Sequence, residues 1–309
     1  MMSSRTQRRP AGLPLALVAM ILLAGCSGDR RNDNWPGRIA YGEPERICTL
    51  GDRRVRESSG LACSRRQPGV FWTHNDSGGM ARLYAFDQDG RARATLRLVG
   101  ITAVDWEDAA SVTLDGRHYL LVADTGDNAR HRTEYAIHVV EEPELPDPPT
   151  DEPLRATAVR TITFTFEDGS QDGEALAVDP AGKTLFVGTR FHDVPRCDVY
   201  RLPFPENDIR AAVARKIATL PIEVGNAMDI SPDGRRAIVG SYGDAYEYLR
   251  RPDEPWSAAF GRPARRLPMP RRRKGEAVAY GPDGKTLYLT SEGVPCPVWK
   301  VPALERERP

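Results

Sequence analysis

Apolar positions in this chain fall in short runs broken by Gly, Pro and Asp, and the runs recur in a fixed order. Residues 174–189 read Glu-Ala-Leu-Ala-Val-Asp-Pro-Ala-Gly-Lys-Thr-Leu-Phe-Val-Gly-Thr. Residues 276–291 read Glu-Ala-Val-Ala-Tyr-Gly-Pro-Asp-Gly-Lys-Thr-Leu-Tyr-Leu-Thr-Ser, almost position by position the same. A third copy begins at Asn226, and weaker ones begin at Glu57 and Trp106. The period is roughly fifty residues, within the range of propeller blades.

Each copy predicts four strands. The first is small and apolar (residues 175–178), suited to a crowded axis. A turn follows at Asp115-Gly116, Ala181-Gly182, Asp233-Gly234 and Asp283-Gly284, a strong hairpin signal. The second strand is rich in Val, Leu and Phe, as at residues 119–123 and 184–187. The third carries aromatics, as in Leu83-Tyr84-Ala85-Phe86 and Val298-Trp299-Lys300-Val301, and residues 94–98 or 161–166 form a fourth. The last copy ends after its third strand, and residues 45–50 lie outside any other copy. The pattern predicts an all-β propeller of five blades, its ring closed by the N-terminal strand, because closure removes exposed sheet edges. The Pro-rich, acidic segment 141–153 reads as an excursion within the second blade. A sixth, degenerate blade there is the alternative.

The first residues are not part of this fold. Arg5, Arg8 and Arg9 precede an apolar run over 13–23 that is too short to span a bilayer. The run ends in Leu23-Ala24-Gly25-Cys26, which resembles the bacterial lipobox. That resemblance implies a signal peptide over 1–25 and lipidation of Cys26, with 26–37 as a tether and 38–309 as one propeller domain. Several acyl chains anchor stably where a single chain is marginal. Ser27 stands where Asp marks inner-membrane retention in many Gram-negative bacteria, which points to the outer membrane, facing the periplasm. An exported chain permits disulfides, but Cys48, Cys63, Cys197 and Cys296 allow three pairings and the sequence does not choose among them.

Composition narrows the function classes. Lys and Arg number 43 against 43 Asp and Glu, and a formal charge of zero argues against a nucleic-acid partner, which needs a basic footprint. Coiled coil, collagen and multi-span membrane protein are excluded. Gly182-Lys183-Thr184 and Gly284-Lys285-Thr286 imitate P-loop endings but sit in hairpin turns, and neither H-E-x-x-H nor G-x-S-x-G occurs.

Propeller topology sorts the loops. The lead-in to each first strand and the link from second to third strand share one face. That face collects Glu57, Asp105, Trp106, Glu107, Asp108, Glu174, Asp229, Lys274 and Glu276 from the lead-ins. The links add His74, Asp76, Asp124, Asp127, Arg190 and His192. Inward carboxylates repel one another unless cations compensate. Hard oxygen donors suit calcium, so Glu107, Asp108, Asp124, Asp127, Glu174, Asp229 and Glu276 are the candidate metal ligands. Glu57, His74, Asp76, Asp105, Trp106, Arg190, His192 and Lys274 are the candidate ligand-binding residues, with a small anionic ligand or an envelope protein as partner. His74 is the candidate general base, although a loop histidine is expected to be solvated. The alternative for the acids is that they cap backbone N–H groups at the channel mouth.

Glu57-Ser-Ser-Gly-Leu-Ala, Trp72-Thr-His-Asn-Asp-Ser-Gly, Asp105-Trp-Glu-Asp and Ala123-Asp-Thr-Gly-Asp-Asn resemble a group of secreted bacterial β-propeller lipoproteins without assigned activity. More distantly the chain is similar to phytase-like and TolB-like propellers, over most of residues 44–302. The phytase-like resemblance implies calcium at an acidic mouth and hydrolysis of phosphate esters, and Asp172-Gly-Glu-Ala is similar to the acidic blade starts of that group. A non-enzymatic interaction scaffold is the competing expectation.

Overall fold

The structure, a computed structural model, describes residues 38–76 and 80–304. The signal segment, Cys26 and the tether lie outside the described residues. Strands β1 (Ala40–Tyr41) and β2 (Glu45–Thr49) lead into β3 (Ser58–Cys63), β4 (Val70–Asn75), β5 (Arg82–Asp87) and β6 (Ala92–Leu98). A second group comprises β7 (Trp106–Leu114), β8 (Arg117–Asp124), β9 (Tyr135–Glu141) and, after a short β10 (Leu154–Ala156), β11 (Arg160–Phe166). The third is β12 (Gly173–Asp179), β13 (Thr184–Thr189), β14 (Cys197–Pro203) and β15 (Ile209–Leu220). The fourth is β16 (Ala227–Ile230), β17 (Arg236–Gly240) and β18 (Asp244–Leu249), joined through helix α1 (Trp256–Phe260) to β19 (Arg265–Pro268). Last come β20 (Ala277–Tyr280), β21 (Leu287–Thr290), β22 (Pro297–Val301) and β23 (Ala303–Leu304).

Within each group the strands pair antiparallel in chain order, as a meander. The first strands β3, β7, β12, β16 and β20 pack side by side in that order, and β20 returns to β3. All five are buried almost throughout, which is why small and apolar residues dominate them. One apolar cluster lies between each pair of neighbouring groups. Leu176 and Val178 meet Leu121 and Ile137, for example, and Phe71 and Phe86 meet Ala279 and Val298. Burial of these clusters, at about 25 cal/mol per Å² of apolar surface, is what holds the ring. This is the β-propeller class expected from the repeat.

The ends close on each other. β2 pairs antiparallel with β22, setting Cys48 opposite Val298, and β1 pairs with β23. The hairpin at Asp115-Gly116 has both residues at positive φ (49° and 77°), the type I′ geometry that Asp-Gly favours. At 181–183 the positive φ falls instead on Lys183, at 42°.

One expectation is corrected. The acidic segment after β9 does not stay within its own group: β10 crosses to the first sheet and pairs parallel with β6. Glu142 fixes this crossing. It is buried, accepts the Trp72 indole N–H at 2.9 Å and the Arg65 and Arg66 backbone N–H groups, and takes a short hydrogen bond from Ser64 Oγ. Cys48, Cys63, Cys197 and Cys296, whose pairing the sequence left open, are free thiols.

Candidate cation centre at the acidic mouth

Lead-ins to the first strands and second-to-third links meet at one mouth, as the topology requires. Glu107 is the extra residue of a β-bulge: Trp106 pairs with Asp124 and Asp108 with Ala123. Glu174 is the extra residue of a second bulge, between Gly173 opposite Thr189 and Ala175 opposite Gly188. A bulge re-aims the side chain of its unpaired residue. Here both glutamates join the other acids at the mouth. Oxygens of Asp76, Asp105 and Glu107 lie within 4.8 Å of one another, and so do those of Glu107, Asp172 and Glu174.

The link after β8 presses on this cluster. A Cβ on Gly126 would lie 2.1 Å from Glu107 Oε1 and 2.5 Å from Asp105 Oδ2, so only glycine allows that approach. The rest of the link holds itself. Asp124 accepts the backbone N–H groups of Val104 (3.0 Å) and Asp105 (3.1 Å) and pairs with Arg132 at 2.9 Å. Asp127 accepts from the backbones of His131 and Arg132 and from the Tyr135 hydroxyl. Burial would raise its carboxyl, but those three bonds hold it below the usual range.

Glu107 is 4% exposed, and among the described residues its carboxylate has no hydrogen-bond donor. Burial first, then Asp76 and Asp105, push its carboxyl well up. Burial and Glu107 do the same to Glu174. Asp105, only half-buried, is pushed up to about 6 by burial, Asp76 and Asp172. Arg190 is the basic side chain inside the cluster, 2.5 Å from Glu174 and 3.2 Å from Asp172. Lys274 lies between Glu276 (3.0 Å) and Glu292 (2.5 Å), and Asn226 donates to Glu276.

The remaining candidates separate from the triads. Asp108 and Asp229 sit further along their strands. Asp108 accepts from the backbones of Ala109, Leu176 and Met228, and Asp229 from those of Ile230 and Tyr280. Glu57 and His192 are exposed; Glu57 forms a bridge with Glu292. Trp106 is buried, its ring edge-on to His74 at 5.6 Å. The solvated histidine expected at position 74 is corrected here. His74 is fully buried beneath Trp106, its Nδ1 is 2.9 Å from Asn75 O, and burial lowers its pKa to about 4. Asp172 was missing from the candidate ligands. The signal was present in Asp105-Trp-Glu107 and Asp172-Gly-Glu174, the same acidic spacing in two neighbouring lead-ins.

No family model matches the chain, and no curated protein matches it. Among solved structures it is similar to the PQQ-bound aldose sugar dehydrogenase of Streptomyces coelicolor. The TM-score is 0.51 at 11% identity, covering 86% of this chain and 98% of that one. That likeness is one of fold. A gluconolactonase of Xanthomonas campestris, XC5397, follows with a TM-score of 0.45 at 15% identity, covering 86% of this chain and 97% of that one. The propeller class therefore rests on the strand topology and on the first of these.

Proposed function

We propose that this protein is a lipid-anchored envelope propeller that binds a divalent cation at Asp76, Asp105 and Glu107, and a small ligand beside it. The observation that carries the reading is Glu107. A buried carboxylate without a hydrogen-bond donor is costly, and a cation shared with Asp76 and Asp105 removes that cost. All-oxygen donors favour calcium, and magnesium fits less well because it demands a tight octahedron.

The cation would polarise a bound ester and acidify a water molecule. His74 is not placed to move that proton, because its imidazole is sealed from the mouth. Hydrolysis of a phosphate or other ester is the enzyme form of this proposal. The PQQ of the Streptomyces enzyme is not carried over, since a likeness at 11% identity bears on fold alone.

One observation favours the second reading, an interaction scaffold. Exposed Met80, Val104, Val194 and Val294 all lie on loops of the acidic face. Calcium titration separates the two. After chelation, calcium should raise the melting temperature, by about 2.7 kcal/mol of stability at a hundredfold excess over Kd, and magnesium should raise it less. A flat response across millimolar calcium ends the cation reading and leaves the scaffold. The anchor is tested by Cys26→Ser, which should release the protein from the membrane fraction.

A further inference from the structure

The two carboxylate triads share Glu107 and differ in what balances their charge. In Glu107–Asp172–Glu174 a cation is already built in. Arg190 Nη2 lies 2.5 Å from Glu174 Oε1 and 3.2 Å from Asp172 Oδ2, its Nε donates to Asp172 at 3.3 Å, and Nη2 donates to Asn128 at 2.8 Å. Asp172 is held from its other side by the Asp127 backbone N–H at 2.8 Å. The carboxylates of Asp105 and Glu107 have no ion-pair partner among the described residues, and the arginine that acts on Asp105 electrostatically, Arg132, is committed to Asp124 and to Gly126 O.

We infer that Arg190 is a fixed second cation of a two-cation centre: the mouth binds one divalent ion, in Asp76–Asp105–Glu107, and the guanidinium stands where a second ion would otherwise bind. This rests on the cation reading above. The physical ground is an asymmetry of cost. An ion entering the second triad would strand a guanidinium only 7% exposed, and an unpaired buried charge costs several kcal/mol. An ion entering the first triad displaces no donor from Asp105 or Glu107, whose carboxylates accept no hydrogen bond among the described residues. A guanidinium is charged at every working pH, so this second cation can be neither titrated nor chelated away. Its Nη1 is left without a protein acceptor among the described residues and can donate to a ligand oxygen beside the ion.

The test is calcium stoichiometry on the full mature chain, by equilibrium dialysis and elemental analysis at saturation. The wild type should bind one ion, Arg190→Gln two, and Arg190→Lys, which keeps the charge, one. Asp105→Asn, which leaves every Arg190 contact in place, should weaken the single ion at least tenfold. That variant decides the matter if Arg190→Gln does not fold. Two ions in the wild type, one in folded Arg190→Gln, or undiminished binding by Asp105→Asn would each overturn the assignment. No ion at all in the wild type rejects the cation reading itself, a different result from the other three.

Discussion

Asp108 Oδ2 accepts the backbone N–H of Met228 at 3.2 Å, joining β7 to β16 across 120 residues of chain. The same oxygen accepts the Leu176 N–H at 2.8 Å, and Oδ1 accepts that of Ala109. One carboxylate thus ties the inner strands of three neighbouring strand groups. Ladder bonds cannot do this, because inner strands of different blades do not pair.

Replacing Asp108 by Ala leaves three buried N–H groups without an acceptor. A buried donor left unsatisfied costs about 1–3 kcal/mol, so the loss in urea unfolding should reach roughly 3 kcal/mol. Asp108→Asn keeps one acceptor oxygen and should lose about half as much. A loss below about 1 kcal/mol for the alanine variant would mean that water serves these groups equally well.

The carboxyl of Asp229 gives the metal-free protein a pH dependence of defined sign. Burial pushes it up to about 6, against the Arg65 charge and two backbone hydrogen bonds that favour the ionised form. The folded state therefore holds a proton that the unfolded chain has already released, and stability falls as pH rises from about 4 to about 6. In chelator, the melting temperature of Asp229→Asn should therefore gain on that of the wild type across that window. Parallel profiles for the two proteins would show that Asp229 is ionised in both states.

The ring was legible because its signals are local and repeated. Turns ending in Gly, small first strands and aromatic third strands recur along the chain, and topology alone then sends lead-ins and links to one mouth. What each acid does there was not legible, because it depends on neighbours distant in the chain. Asp108 is taken by Leu176 and Met228, and Asp124 by the backbone of Val104 and Asp105. Glu107 and Glu174 are set apart by bulges, which repeat alignment does not mark. His74 looked solvated because it ends a strand beside a polar loop, yet Trp106 from the next blade covers it. The path of β10 onto β6 depends on Glu142 meeting Trp72, two residues that belong to different repeats.

Gly126 offers a test of the ligand set that leaves every charge in place. Its φ is not in the left-handed region, so alanine brings no backbone strain, and losing a glycine reduces the freedom of the unfolded chain. The added methyl would, however, lie 2.1 Å from Glu107 Oε1 and 2.5 Å from Asp105 Oδ2. These carboxylates must turn away from each other or from the link, and either movement spoils a shared set of donors near 2.3–2.6 Å from calcium. Gly126→Ala should therefore weaken calcium at least tenfold in direct titration while melting in chelator within a few degrees of the wild type. Gly243→Ala is the matched control, because its methyl would point into open space on a loop of the same face. If both variants bind calcium as the wild type does, Asp105 and Glu107 are not its ligands, and the ion binds elsewhere on the chain.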